Sequence, residues 1–177
     1  LRGQDGAPEK KPWEKFAWDD SVEHIYPQHP HRAWQDDIVV DGRAPKGKQA
    51  ITHSLGNLLL LSRSLNAANS NEPYVAIDAL KGKRARFRVG SYSEVQVAHL
   101  CERWTVVQIA ARGIAMMRLA QEEWDFELVS PEQPLTDWLP YLFGEMSAHV
   151  QHGDFSGGTA VDGRSLNGWV AKFEGSR

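Results

Sequence analysis

The sequence predicts an α+β fold with a mostly helical C-terminal half. Two short segments favour strands: residues 21–26, which include the β-branched Val22 and Ile25 and are ended by Pro27, and the apolar run at residues 57–61. The second run is also compatible with the start of a helix, but its length favours a strand. From residue 91 to about residue 125, apolar side chains recur every three or four positions behind an S-x-x-E capping box. This pattern predicts one long helix.

The other segments give weaker signals. Residues 28–54 are rich in Pro, Gly, His and Asp without periodicity, so they predict a long loop with one helical turn near Trp34. Residues 136–152 predict a second, shorter helix that is interrupted at Pro140. Near the C-terminus, the sequence W-V-A-K-F at residues 169–173 predicts a late strand in a Gly-rich segment.

Composition excludes several classes of protein. The 177 residues suit one ordinary domain, and 41% hydrophobic content is typical of a globular chain. No apolar run reaches the roughly 18 residues that a membrane-spanning helix needs, so we predict no membrane association. The single cysteine, Cys101, excludes an internal disulfide and a cysteine-rich zinc site, and it is consistent with a cytoplasmic location.

Charge is distributed unevenly along the chain. The net charge of −3 counts against a nucleic-acid binder, because phosphate contacts require Lys and Arg. Locally, however, Asp19, Asp20 and Glu23 form an acidic cluster, and residues 81–88 form a basic strip. The cations of this basic strip are Lys81, Lys83, Arg84, Arg86 and Arg88. An acidic centre with a basic strip fits a metal-dependent nuclease, although the strip is also compatible with a solvated turn.

The first candidate motif is E-H-I-Y-P-Q at residues 23–28. Glu23 and His24 are consecutive on a predicted strand, so their side chains point to opposite faces. A bend at Pro27 would let both reach a shared metal and phosphate. Histidine is the usual general base near neutral pH, and glutamate supplies a hard oxygen for Mg²⁺. The alternative is an edge strand with two solvated polar residues.

Two asparagines form the second candidate motif. Asn57 heads the second predicted strand, and Asn66 follows on a short helix expected to begin near residues 62–64. An asparagine amide can orient an imidazole, and its carbonyl oxygen can bind a metal. Taken singly, each asparagine is more commonly a structural or capping residue.

The order of these motifs resembles the C-terminal nuclease family of the GmrSD-type modification-dependent restriction enzymes. The resemblance covers roughly residues 20–125. Its elements here are E-H-I-x-P-Q at 23–28, Trp34, G-N-L-x-L-L at 56–61, Asn66, Asn71, Tyr74, Lys81, W-x-x-x-x-I-x-x-R at 104–112 and Trp124. Tyr74 stands where many relatives have phenylalanine, and this departure affects nothing catalytic.

The resemblance implies an HNH core, the ββα-metal fold, and roles for four residues. His24 is expected to act as the general base, and Asn57 to orient it. Glu23 and Asn66 are expected to bind the divalent metal, Mg²⁺ or alternatively Mn²⁺. Beside such a motif, we expect the basic strip to hold the DNA backbone. The strip residues assigned to this role are Lys81, Lys83, Arg84 and Arg86.

The resemblance therefore predicts a DNA endonuclease, nicking or cutting both strands, within a bacterial restriction or anti-phage defence protein. We expect residues 1–19 to be a linker from an upstream NTP-binding or modification-sensing domain, as in GmrSD-type enzymes and phosphorothioate-sensing effectors. Residues 20–125 are then the nuclease domain with its long packing helix, and residues 126–177 a helical, Gly-rich extension. The alternatives are an inactive HNH-fold DNA-binding module and a helical interaction module around residues 94–152.

Overall fold

In the computed structural model, the described residues are 20–34, 44–62, 69, 71–77, 81–150 and 164–176. They confirm an α+β fold that is mostly helical, with a two-stranded antiparallel sheet. The chain divides into two compact units. One unit takes in residues 1–36 and 58–104, and the other takes in residues 37–57 and 105–177.

The described residues of the first unit include the sheet and the helices that follow it. The strands are β1 (Asp20–His24) and β2 (Leu58–Ser62), paired so that Val22 lies opposite Leu60 and His24 opposite Leu58. Helices α2 (Lys83–Phe87) and α3 (Tyr92–Leu100) also belong to this unit. Both predicted strands are thus confirmed to within a few residues. The buried core of this unit includes Ile25, Leu59, Leu61, Phe87 and Val97.

Aromatic side chains from the motifs pack the first unit. The buried Tyr74 hydroxyl lies 3.1 Å from the carbonyl oxygens of Val97 and Cys101, and its ring centroid lies 5.8 Å from that of Trp104. Burial raises the pKa of Tyr74, so its hydroxyl stays protonated and can donate. Trp34 is buried as well, and its indole N–H donates to the backbone oxygen of Glu72. These aromatic residues therefore hold the fold together.

The second unit is helical. Its helices are α1 (Ala44–Thr52), α4 (Val106–Trp124), α5 (Leu139–Phe143), α6 (Ser147–Val150) and α7 (Leu166–Glu174), with 3-10 turns at Leu55–Asn57, Leu135–Trp138 and Gly144–Met146. Every residue of α4 from Val106 to Ala115 is buried, which makes this half of the helix the centre of the unit. None of the helices among the described residues is long and apolar enough to cross a membrane.

The turn at Leu55–Asn57 packs very closely against α4. A β-carbon at Gly56 would collide with the backbone oxygen of Ile109 and would lie 2.8 Å from the nitrogen of Gly113. Arg112, on the same helix, donates from Nη1 to the Gly56 oxygen at 2.8 Å. The G-N-L motif and the arginine of W-x-x-x-x-I-x-x-R are thus joined by a buried contact, and both are structural at this point.

The predicted long helix over residues 91–125 is wrong in one respect. The capping box of Ser91 and Glu94 is present and begins α3, but the chain leaves the helix after Leu100 and starts α4 at Val106. The break has a local cause, because Thr105 and Gln108 form a second capping box. The apolar period continues across the break and hides it in the sequence.

Three other predictions needed correction. Residues 28–54 do contain the turn near Trp34, but Ala44–Thr52 is a helix. Pro140 lies in the first turn of α5, where proline is tolerated, so it begins a helix and does not interrupt one. The strand expected at residues 169–173 is part of α7, whose N-terminus is capped by the Ser165 hydroxyl.

Candidate functional site

The E-H motif lies at the end of β1 and contacts a buried lysine. Glu23 is 3% exposed and Lys83, the first residue of α2, is 0% exposed. The Lys83 Nζ atom donates to Glu23 Oε1 at 2.6 Å and to the backbone oxygen of His24 at 2.9 Å. One ammonium group therefore holds two consecutive residues of the motif.

The chain around Gly82 places Lys83 for these contacts. Gly82 has φ of 66°, and a β-carbon there would lie 2.5 Å from the nitrogen of Ala76, so this turn requires glycine. The Glu72 carboxylate accepts from the N–H groups of Lys81 and Gly82 at 3.0 and 3.3 Å. The entry into α2 is thus fixed by backbone conformation and by one carboxylate.

Burial and pairing act in opposite directions on the Glu23–Lys83 pair. Burial raises the pKa of Glu23, and the neighbouring Lys83 ammonium opposes that rise. Burial lowers the pKa of Lys83, and the Glu23 carboxylate opposes that fall. Each charge is therefore tolerated in the interior only because the other is present.

His24 lies on the more open face of β1. Glu23 and Ile25 are buried, whereas Val22 is 44% exposed and His24 is half-buried, as the alternation of a strand predicts. Leu60, opposite Val22, is 52% exposed. The backbone of His24 is thus fixed from the buried side while its imidazole belongs to the accessible face, which suits a group that exchanges protons with a substrate.

Of the two asparagines expected at the site, the structure describes Asn57 but not Asn66. Asn57 is fully buried, and its Nδ2 atom donates to the backbone oxygen of Thr52 at 2.8 Å, at the end of α1. Its expected role in orienting His24 stays a prediction. Asn66 lies outside the described residues. Within the part of the chain that the structure describes, no group of three or more His, Cys, Asp or Glu side chains is placed to hold a metal ion.

The basic strip is not uniformly exposed. Lys81 and Arg88 are exposed, Arg84 and Arg86 are half-buried, and Lys83 is buried. The expected phosphate contact of Lys83 does not fit its position, because its ammonium points into the unit and is bound by Glu23. A signal for this was present in the sequence: in a helix, Lys83 shares a face with the apolar Phe87 one turn later.

The half-buried arginines of the strip have protein partners. Arg84 donates from Nε to the backbone oxygen of Ala98 at 3.1 Å. Arg86 Nη1 lies 3.5 Å from Asn69 Oδ1, and Arg86 Nη2 lies 3.9 Å from a carboxylate oxygen of Glu72. These contacts leave part of each guanidinium at the surface, so both arginines remain candidates for phosphate binding.

A scan of protein families places these motifs in one family. The chain matches the family model for the C-terminal domain of GmrSD restriction endonucleases over residues 2–119, a range that contains the E-H motif, G-N-L, the basic strip and W-x-x-x-x-I-x-x-R. The class is thus that of a restriction-endonuclease domain. The chain belongs to the GmrSD C-terminal domain family, as the resemblance predicted. No curated protein and no solved structure matches it.

Proposed function

We propose that this domain is a metal-dependent DNA endonuclease with an HNH core, and that His24 is its general base. The observation that carries the proposal is the position of the E-H motif at the end of β1, with His24 half-buried on the accessible face and its backbone oxygen bound by Lys83. The antiparallel pair of β1 and β2 supports the ββ part of an HNH core. The helix expected after β2, near residues 62–64, lies mostly outside the described residues.

The chemistry assigned to the chain is proton transfer. A neutral His24 imidazole takes a proton from water while the water oxygen attacks the phosphorus in line and the bond to the 3′-oxygen breaks. A divalent ion, Mg²⁺ or Mn²⁺, would neutralise charge on the phosphate and on the leaving 3′-oxygen. The proposed role of Asn57 is to hold the imidazole in the orientation that this transfer needs.

The expected metal ligands fit the described structure only in part. Asn66 is not among the described residues, and the Oε1 atom of Glu23 is already bound by the Lys83 ammonium at 2.6 Å. A divalent cation on the same carboxylate would meet a like charge. The proposed metal therefore rests on the resemblance, and Glu23 is assigned to Lys83 and not to the reaction.

The same resemblance supports the wider setting of the proposal. We propose that the domain acts in the cytoplasm of a bacterium, in restriction or anti-phage defence, alongside an upstream NTP-binding or modification-sensing domain of the same polypeptide. An inactive DNA-binding module is less well supported, because Glu23, His24 and Asn57 are all present. A purely helical interaction module is less well supported as well, because the family match includes the sheet.

Removal of the metal provides the first test. We expect the full chain to convert supercoiled plasmid to nicked or linear DNA in the presence of Mg²⁺ or Mn²⁺. Cleavage should stop when EDTA is added in excess. Adding Mg²⁺ in excess of the EDTA should restore cleavage of the same plasmid. Cleavage that continues undiminished in EDTA would contradict the metal requirement, and absence of cleavage under every condition would contradict the nuclease assignment.

DNA binding by the exposed part of the basic strip provides a second test. Replacing Lys81 and Arg88 with alanine should raise the dissociation constant for unrelated DNA sequences by a similar factor, because phosphate contacts do not read sequence. Each lost contact should also reduce the slope of affinity against salt by about one unit. The measurement is a salt titration of DNA binding by fluorescence anisotropy.

The matched control is Arg103→Ala, which removes an exposed cation of the same unit outside the strip. This variant should bind DNA with the affinity and salt slope of the wild type. If the Lys81 and Arg88 double variant also keeps both values, the exposed part of the basic strip is only a solvated surface, and DNA must be held by other groups.

A further inference from the structure

Lys83 contacts both residues of the E-H pair, the proposed base His24 and its neighbour Glu23. Its ammonium donates to the side chain of Glu23 and to the backbone oxygen of His24, at 2.6 and 2.9 Å, and all three groups belong to one compact unit. A lysine ammonium has three hydrogens to donate, so these two contacts direct most of its hydrogen-bonding capacity at one end of β1. Lys83 is therefore bonded to the E-H motif and not merely buried beside it.

We propose that Lys83 is a positioning residue and that Glu23 is its counter-ion, an inference that rests on the proposed nuclease function. The ammonium fixes the carbonyl of His24 and with it the peptide plane at the last residue of β1. The imidazole is attached to the Cα atom of His24, which is bonded to this carbonyl carbon. Fixing the peptide therefore restricts the direction in which the base points. Glu23 then acts on His24 through Lys83.

Energetics favour a geometric role over a purely stabilising one. A buried ion pair adds little net stability, because the cost of removing two charges from water offsets their attraction. Apolar residues of similar volume often serve a core equally well or better. The presence of a buried lysine at this position is instead explained by its contact with the His24 backbone, which holds the proposed base in place.

The helix that carries Lys83 also carries the basic strip. Arg84 and Arg86 lie within α2, and Lys81 and Arg88 flank it. The first turn of α2 is anchored by Glu23 and by the Lys83 N–H, which donates to the Pro73 oxygen at 2.8 Å. A phosphate bound by the basic strip is therefore held by the same short helix that fixes the backbone of His24.

The test compares single and double variants of the pair in the full chain. Lys83→Met or Glu23→Gln alone leaves one buried charge uncompensated, so we expect each single variant to be less stable than the wild type. The double variant E23Q/K83M removes both charges and is expected to fold. It should bind DNA with the wild-type dissociation constant, require the same Mg²⁺ concentration for half-maximal rate, and cleave at saturating DNA and Mg²⁺ about 10- to 100-fold more slowly.

Two further variants complete the design. Glu23→Asp keeps the charge but shortens the side chain, so it should also slow cleavage without changing the Mg²⁺ requirement, and it gives the decisive result if the double variant does not fold. The matched control R118M/E174Q removes a half-buried ion pair of the other unit, in which the atoms lie 3.3 Å apart. The control should cleave at the wild-type rate.

Each alternative has its own outcome. Cleavage at the wild-type rate by E23Q/K83M, or by Glu23→Asp if the double variant is unfolded, overturns the positioning role. A raised Mg²⁺ requirement in the Glu23 variants but not in Lys83→Met also overturns it, and makes Glu23 a metal ligand. If the wild-type chain itself does not cleave, the proposed function fails, and this inference fails with it.

Discussion

Replacing Gly56 with alanine is expected to destabilise the protein by about 3 kcal/mol or more, because the new methyl group has no room. Its carbon would overlap the backbone oxygen of Ile109 in α4 and lie 2.8 Å from the nitrogen of Gly113. Backbone atoms of a buried helix cannot move aside as a flexible side chain can. Separating the turn from the helix would also break the bond from the buried Arg112 guanidinium to the Gly56 oxygen.

The measurement is thermal unfolding followed by circular dichroism. For a chain of this size, each kcal/mol lowers the midpoint by roughly 2–4 °C, so a decrease of about 6–12 °C is expected. The control is Gly168→Ala in α7, where an added β-carbon meets nothing closer than 3.6 Å and alanine favours the helix. A wild-type midpoint for Gly56→Ala would contradict the close packing of this turn on α4.

The parts of the fold that were predicted correctly have local signals. Residues 21–26 contain the β-branched Val22 and Ile25 and are followed by a proline, and the capping box of Ser91 and Glu94 is evident from its S-x-x-E spacing. Helix α1 was missed because Pro45 and Gly47 resemble helix breakers. Proline costs little in a first turn, and the buried Ile51 shows that tertiary packing stabilises the end of this helix.

Helix α7 shows the opposite error. The run W-V-A-K-F is rich in apolar and aromatic residues, which favour strands, and it was interpreted as one. In the structure Trp169, Val170 and Phe173 are buried together, at the spacing of one face of a helix. Three apolar residues in a short run are compatible with both periods, and the cap at Ser165 was the signal that distinguishes them.

For the candidate site, the sequence predicted the strand alternation but not the partner of Glu23. Glu23 and Lys83 are 60 positions apart, and no local pattern joins them. The resemblance predicts that Glu23 binds a metal, and the charge of the strip beside the motif predicts that Lys83 binds phosphate, whereas in the structure the two side chains bind each other. Pairing across the fold depends on tertiary packing, which a single sequence does not reveal.

Replacing His24 with alanine is expected to have the largest effect on function. If the imidazole deprotonates the attacking water, its removal should slow cleavage by about 10²- to 10⁴-fold. The fold should persist, because β1 pairs with β2 through backbone hydrogen bonds and Lys83 binds the backbone oxygen of His24, which alanine retains. DNA affinity should also persist, since phosphate binding is assigned to the basic strip.

The matched control for this variant is His29→Ala. His29 directly follows the E-H-I-Y-P-Q motif and is exposed, so its removal tests whether any nearby imidazole matters. We expect this variant to cleave at the wild-type rate with the same metal requirement. Equal losses in both variants would indicate a general disturbance of the segment after β1 and not the loss of a base.

The most direct measurement is the single-turnover cleavage rate of supercoiled plasmid, with wild-type and His24→Ala protein both saturating and Mg²⁺ in excess. Circular dichroism and DNA binding are measured on the same samples, so that misfolding is not mistaken for lost chemistry. The account predicts a folded, DNA-binding His24→Ala protein that cleaves at least about 100-fold more slowly than the wild type. Retention of more than about a tenth of the wild-type rate would contradict it, because loss of a general base has a larger effect.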